Sequence, residues 1–357
     1  MKAIRLFTVL AVLLLSISAS AQRKIQVAIL LDNSGSMQGL IDQAKSQLWT
    51  IVNEMALAKA DGKVPEIEIA LYEYGDHVVQ IMPLTKDLDK ISESLFGLSI
   101  RGGDEYCGEV IGTSLKDLAW SKSNKDMKLI YICGNEPFNQ GKVDYKQACK
   151  IAITNGIVVN TIFCGDYNEG VNSFWKDGAD ISEGKYFNIN QNEATVYIET
   201  PYDKAINELN GKLNETYIGY GALGHEKKAN QTTQDKNAAK YSVANEAERA
   251  VSKSSPAYRA DDWDLVDAVK NEKVKVAEMK DEQLPAELKG KSSTEIKAYV
   301  DKKAAERTAI QAKIQELNKK RTEHITAEQK KIGKDNTLNS AMKKSMRDRA
   351  QQLGFTF

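Results

Sequence analysis

The sequence predicts an α/β fold: a doubly wound, mostly parallel six-stranded sheet, followed by an α-helical C-terminal region. An apolar strand near the N-terminus runs directly into a turn rich in oxygen side chains, and an amphipathic helix follows. Strand and helix patterns then alternate to about residue 215, which is typical of a doubly wound sheet. Beyond residue 215 the chain becomes polar and its pattern is helical.

The first strand and the first helix are the clearest elements. Residues 25–31 form a continuous apolar run, as expected of a parallel strand that is covered on both faces. Residues 40–58 repeat apolar positions at helical spacing. Open α/β sheets bind ligands at the carboxyl ends of their strands, and the turn between these two elements lies at such an end.

The turn carries Asp32, Ser34 and Ser36, which place one carboxylate and two hydroxyls on alternate residues. Gly35 lets the backbone fold tightly enough for these side chains to converge. Hard oxygen ligands of this kind suit Mg²⁺ or Mn²⁺ and not Zn²⁺ or Cu²⁺. The other interpretation is that Asp32 or Ser34 only caps the helix that follows.

With this turn after this strand, the chain resembles the von Willebrand factor A-type (VWA) domain, whose metal-ion-dependent adhesion site opens with the same motif. The resemblance covers about residues 23–215. It assigns five further strands, at 66–75, 77–85, 128–137, 156–166 and 184–189. Helical patterns fall between them at 87–97, 108–121, 143–155 and 168–180.

Two loops depart from the family's pattern. Asp104 and Glu105 stand where the family usually presents a Thr, and Gly134 stands where it usually has Asp. The resemblance therefore implies a modified site in which Asp104 or Glu105 restores the missing charge, while Glu136 or Asp166 would help through water. The ligand set that it implies for Mg²⁺ or Mn²⁺ is Asp32, Ser34, Ser36, Asp104 and Glu105. The alternative is a degenerate loop that only stabilises the turn.

The N-terminus predicts export. Lys2 and Arg5 precede an apolar run at about 6–17, and Ala19-Ser20-Ala21 is a small-x-small cleavage signal. We expect residues 1–21 to be a signal peptide that is cleaved after Ala21. The product would be a secreted or periplasmic protein of the bacterial envelope, without stable membrane insertion. The alternative is an uncleaved anchor, although the run is short for a bilayer span.

The charge balance and the motifs exclude some functions. The 49 basic and 49 acidic residues give no formal net charge, which argues against a general nucleic-acid surface. Neither of the glycine-rich phosphate-binding patterns, GxxxxGK[ST] or GxGxxG, occurs in the chain.

The four cysteines leave two alternatives open. The resemblance places Cys133 and Cys164 at the ends of neighbouring strands, and an exported protein can keep a disulfide there. The alternative is that these two and Cys107 are small buried residues without a bridge. Cys149 lies on the apolar face of a predicted helix, where a buried free thiol is common.

The C-terminal part divides into two regions. Residues 216–255 are polar, and we expect a linker or a solvated helix there. Residues 256–357 predict a charged helical region with one long helix over 293–332. We expect this region to pack on itself or on the VWA-type domain, and a partner-binding coiled coil is the alternative. The VWA-type domain, residues 22–215, is then expected to fold without the tail.

Three classes of function follow. The first is an exported binding protein that mediates metal-dependent protein–protein interaction or adhesion in the cell envelope, its metal accepting an acidic side chain of a protein partner. The second is a metal-independent structural or assembly protein that uses the helical tail. The third is a metal-assisted hydrolase with Asp166 or Glu136 as base. We expect no enzyme, because His77, His225 and His324 are predicted to lie far from the site edge or in the tail.

Overall fold

The computed structural model describes residues 22–75, 77–101, 103, 105–190, 192–193, 195, 197–332 and 338–357. The predicted signal peptide and Asp104 lie outside these residues. Six strands form one sheet: β1 (Lys24–Asp32), β2 (Glu66–Tyr74), β3 (Val78–Thr85), β4 (Met127–Gly134), β5 (Val158–Cys164) and β6 (Tyr186–Ile189). Their order is β3-β2-β1-β4-β5-β6, and only the β2–β3 pair is antiparallel. The predicted doubly wound, mostly parallel sheet is confirmed.

Seven helices accompany the sheet up to residue 214. They are α1 (Gln38–Leu57), α2 (Leu88–Gly97), α3 (Cys107–Asp117), α4 (Tyr145–Thr154), α5 (Tyr167–Asn172), α6 (Trp175–Ile181) and α7 (Asp203–Asn214). The pattern predicted as one helix over 168–180 is two helices, because the backbone of Phe174 between them is left-handed (φ 70°). A left-handed residue cannot continue a right-handed helix.

The sheet is buried on both faces, which explains its uninterrupted apolar strands. Residues 25–32 of β1 are all buried. Ala28 and Leu30 face the layer that contains α3, α4 and α6. Val27 and Ile29 face the layer that contains α1, α2 and, in addition, side chains of the C-terminal helices.

The C-terminal region is helical, as predicted. Its helices are α8 (Gly224–Ala239), α9 (Val243–Lys253), α10 (Leu265–Lys270), α11 (Ser293–Ile332) and α12 (Leu338–Gln352). The long helix predicted over 293–332 has the predicted bounds. Among the described residues, none of the helices is both long enough and apolar enough to cross a membrane.

The structure differs from the linker or solvated helix expected over 216–255. Helix α9 packs against α1, α7 and α8, and the side chains of Arg249 and Lys253 are fully buried. Arg249 Nη2 lies 2.6 Å from Asp89 Oδ1, and its Nε donates to Asp235 Oδ1 at 2.9 Å. Lys253 Nζ donates to Asp235 Oδ2 at 2.8 Å. Part of the polar character of this segment therefore belongs to buried charges that are paired with one another.

Helix α12 closes one face of the sheet. It packs against α1, β4 and β5, and Met342 and Met346 are buried in the core. Tyr131 of β4 donates a hydrogen bond to the backbone oxygen of Met342 at 3.1 Å. Near the C-terminus, the guanidinium of Arg23 lies 4.1 Å from the ring centroid of Phe355. The tail therefore packs on the sheet domain, which was one of the predicted arrangements.

All four cysteines are buried free thiols. The bridge considered between Cys133 and Cys164 is not formed. In the β4–β5 register Cys133 lies opposite Ile162, so Cys164 is displaced along its strand from the position that faces Cys133.

Candidate functional site

The strand edge at the end of β1 positions the predicted turn. Asp32 is the last residue of β1, lies beside Tyr74 of β2 in the register and is fully buried. Asn33 N donates to Tyr74 O at 3.0 Å, and Arg101 N donates to Asn33 O at 2.9 Å. These backbone bonds hold the turn against the neighbouring strand and the loop before α3.

The three turn residues come together as the sequence predicted. Asp32 Oδ1 accepts from Ser34 N at 2.7 Å, and Asp32 Oδ2 lies 3.2 Å from Ser34 Oγ. Ser36 Oγ lies 3.5 Å from Ser34 Oγ. Helix α1 has Met37 at its N-cap and no side-chain capping bond. Asp32 and Ser34 therefore do not cap α1, and the capping interpretation is wrong.

Glu105 brings a second carboxylate to the turn from the loop before α3. The residue is 1% exposed, and its Oε1 accepts from Ser34 Oγ at 3.0 Å. Its Oε2 accepts from two backbone N–H groups after β4, Glu136 N at 3.1 Å and Asn135 N at 3.4 Å. One oxygen is thus held by the β4–α4 loop and the other faces the Asp32 turn.

Gly134 explains why the second carboxylate comes from Glu105. A Cβ atom at this position would lie 2.6 Å from the Tyr74 hydroxyl and 3.1 Å from Glu105 Oε2. The Tyr74 hydroxyl is fixed in this place because it donates to Cys133 O at 2.9 Å. No side chain fits at position 134, since Tyr74 and Glu105 already fill that volume. The carboxylate that the resemblance led us to expect at this corner is replaced in space by that of Glu105.

The carboxylate of Glu105 strongly affects the pKa of Asp32. Burial, and then the hydrogen bond and the charge of Glu105, raise the pKa of Asp32 to about 9. Among the described residues, no ion pair joins Asp32 or Glu105 to a Lys, Arg or His side chain. The negative charge of the pair can therefore be balanced by a bound proton or by a cation.

The donor set fits a hard divalent cation. Two carboxylates and the hydroxyls of Ser34 and Ser36 converge, and Asn135 Nδ2 donates to Ser36 Oγ at 3.2 Å. The carboxylate and hydroxyl oxygens are ligands of the kind that Mg²⁺ and Mn²⁺ prefer. Within the described ranges, no group of three or more His, Cys, Asp or Glu side chains could hold a metal ion. A cation here would keep several water ligands, because the chain supplies so few charged ones.

The side chains of Asp166 and Glu136 have no hydrogen bond to this cluster among the described contacts. Asp166 caps α5, accepting from Asn168 N at 2.8 Å and from Glu169 N at 3.3 Å. Glu136 has an exposed side chain and accepts from Gln140 Nε2 at 3.2 Å. His77 lies in the turn between β2 and β3, at the edge where β2 ends, so the expectation that it lies far from that edge is wrong.

Sequence analysis missed Tyr74, Asn135 and Gln140. Tyr74 looks like an ordinary strand residue, and only the register of β2 with β1 brings it below the site. A glycine in a strand often indicates that another group approaches the backbone closely. Gly134, at the end of the fourth strand, could have indicated such a contact.

Comparison with known proteins identifies the N-terminal domain. Residues 27–135 match the sequence model of the von Willebrand factor type A domain family, so the predicted VWA-type domain is confirmed over this range. No curated protein matches the chain. The following solved structures are similar to it at low identity.

The conserved hypothetical protein BatB from Bacteroides thetaiotaomicron has 16% identity and a TM-score of 0.38, over 46% of this chain and 90% of that one. An aerotolerance-related membrane protein from Bacteroides fragilis has 16% identity and a TM-score of 0.35, over 47% and 93%. The VWA domain of SpRpn10 has 18% identity and a TM-score of 0.36, over 46% and 87%.

Proposed function

Taking the VWA-type domain of residues 27–135 as the premise, we propose that this chain is an exported binding protein whose Asp32–Glu105 site holds Mg²⁺ or Mn²⁺ and mediates metal-dependent protein–protein interaction. The observation that carries the proposal is the buried pair of carboxylates at the carboxyl end of β1, with the hydroxyls of Ser34 and Ser36 beside it. Burying two carboxylates together is costly unless a counter-charge is supplied. A divalent cation supplies that charge and uses the hydroxyls as neutral ligands.

The proposed partner is a protein that presents an acidic side chain. Mg²⁺ requires near-octahedral coordination and keeps waters where the protein offers too few ligands. A carboxylate from a partner can replace one of these waters and make a charge-assisted contact with the metal. With the expected N-terminal signal sequence, we propose that this interaction takes place in the bacterial cell envelope or outside the cell.

The second candidate is a metal-independent structural or assembly protein. The extent of the C-terminal helices favours it, since α9 and α12 contribute to the same core as the sheet. This candidate assigns the Asp32 turn only a role in stability.

We propose no catalytic residue. The carboxylate of Asp166 is engaged in capping α5, and Glu136 points to solvent from the β4–α4 loop. Neither side chain has a hydrogen bond to Asp32, Ser34 or Ser36 among the described contacts.

Calorimetric titration with Mg²⁺ and with Mn²⁺ tests the proposal on the wild type, Asp32→Asn and Glu105→Gln. The matched control is Asp42→Asn, which removes an exposed carboxylate from α1. We expect weak binding to the wild type and to the control, and none to the two site variants. Capture of proteins from an envelope extract should then be lost on adding a chelator. Equal titration of the wild type and Asp32→Asn, with capture indifferent to chelator, would favour the metal-independent scaffold.

A further inference from the structure

We propose that Gln140 is a positioning residue for the metal site, an inference that rests on the function proposed above. Gln140 lies in the loop between β4 and α4, and its side chain contacts two segments. Its Oε1 accepts a hydrogen bond from Glu105 N at 3.2 Å. Its Nε2 donates to Glu136 Oε2 at 3.2 Å. Gln140 therefore ties the backbone of the second carboxylate to the loop after β4.

The same loop also holds the carboxylate of Glu105. The backbone N–H groups of Asn135 and Glu136 both point at Oε2. Glu105 is thus attached to one loop at both ends, by its backbone N–H and by one carboxylate oxygen. The other oxygen, Oε1, is left facing Ser34, where a metal ligand is needed.

The loop that provides these contacts is itself anchored to the domain. Trp175 Nε1 donates to Glu136 O at 2.8 Å, and Phe138 N donates to Ser173 O at 2.9 Å. Gly141 has a positive φ of 88°, and a Cβ there would lie 2.8 Å from the Tyr106 ring. The loop is fixed by its bonds to Trp175 and Ser173 and packs against Tyr106. Gln140 is therefore held in one position, and its hydrogen bond holds the backbone of Glu105 in place. Groups behind the first ligands commonly set metal affinity in this way.

Mn²⁺ affinity, measured by electron paramagnetic resonance, tests the role of Gln140. Gln140→Leu keeps the size of the side chain and removes both hydrogen bonds. Gln140→Glu keeps an acceptor for Glu105 N, while the exposed Glu136 can turn away from it. Asn139→Glu is the matched control, because it adds the same charge at the neighbouring exposed position without that acceptor.

We expect Gln140→Leu to weaken Mn²⁺ binding about tenfold, within the range found for groups that support metal ligands. Gln140→Glu should retain most of the wild-type Mn²⁺ affinity after the charge effect of Asn139→Glu is subtracted. Both Gln140 variants should unfold at the same urea concentration as the wild type. Wild-type affinity in Gln140→Leu, or an equal loss in Gln140→Glu, would overturn the positioning role while leaving the metal site intact. Absence of Mn²⁺ binding by the wild type would overturn both proposals.

Discussion

Glu105 and Gly134 form a compensating pair at the centre of the site. The glycine leaves room, and the Glu105 carboxylate and the Tyr74 hydroxyl fill it. Restoring a side chain at position 134 would therefore displace the carboxylate that has taken its place. This view is opposite to the alternative of a degenerate loop that only stabilises the turn.

Gly134→Ala should lower the free energy of unfolding by about 1–3 kcal/mol through overpacking and should weaken Mn²⁺ binding by displacing Glu105. Gly97→Ala, at the end of α2 and outside the metal-binding turn, is the matched control, because a Cβ there meets nothing within 4 Å. Urea unfolding and Mn²⁺ titration measure the two effects. Tyr74→Phe removes the nearest atom and should reduce the cost of Gly134→Ala. If Gly134→Ala behaves like Gly97→Ala, the packing explanation is wrong.

Asp32→Asn should stabilise the metal-free protein while abolishing metal binding. Burial and Glu105 raise the pKa of Asp32 to about 9, above the ordinary value of 3.8. The folded state therefore binds more protons than the unfolded state between these values, and stability falls as pH rises through that window. At pH 9 the variant, which cannot ionise, should be more stable than the wild type by about 1 kcal/mol or more. Thermal unfolding from pH 5 to 9 checks this, and parallel pH profiles would contradict it.

The turn residues could be predicted because sequence spacing alone brings them together. Asp32, Ser34 and Ser36 alternate along one short turn, and the structure joins them. Glu105 was predicted as a ligand only because it lies in a loop that resembles a loop of the VWA family. Tyr74 and Gln140 could not be predicted, because the contacts that bring them to the site depend on strand register and on a loop conformation.

At the scale of elements, α9 shows how a polar sequence can be a core helix. Its Arg249 and Lys253 surround Asp235, while Asp89 of α2 completes the cluster. Burial alone would raise the pKa of Asp235. The charges of Lys253 and Arg249 outweigh this effect and lower the pKa to about 2. Composition predicted a linker or a solvated helix here because charged residues are rarely buried. Their pairing depends on partners from other helices, which periodicity cannot reveal.

Removing Asp235 should strongly destabilise the protein. Asp235→Ala leaves Arg249 and Lys253 buried without this partner, and breaking such a buried pair costs about 3–5 kcal/mol. Urea unfolding measures the loss. Asp301→Ala is the control, because its partner Lys297 is exposed on α11 and such pairs contribute little. A loss no larger than that of the control would mean that the α9 cluster is not a stabilising contact.

At the scale of the whole molecule, the C-terminal helices and the sheet form one core. The sequence predicted the sheet correctly because its strands are continuous apolar runs between helical patterns. It could not show that Met342, Met346 and Phe355 return to cover the sheet, more than 200 residues after β4 begins. This packing therefore argues against the expectation that residues 22–215 fold without the tail.

Met346→Ala tests the contribution of α12 without deleting it. The side chain is fully buried, and truncating a core methionine to alanine costs about 2–5 kcal/mol. Lys344→Ala, an exposed position on the same helix, is the control and should change stability little. Calorimetric unfolding should show one cooperative transition, shifted down in Met346→Ala. A shift no larger than that of Lys344→Ala would show that the domain is stable without α12.

Asp32 and Glu105 are proposed to share one divalent cation. Anomalous diffraction from crystals soaked in Mn²⁺ tests it most directly, because the metal itself is located. We predict a Mn²⁺ peak with oxygens of Asp32, Ser34 or Ser36 and Glu105 at about 2.1 Å, its other ligands being water or a carboxylate from a neighbouring molecule. A map without a peak at these residues, from crystals that bind Mn²⁺ elsewhere, would contradict the claim.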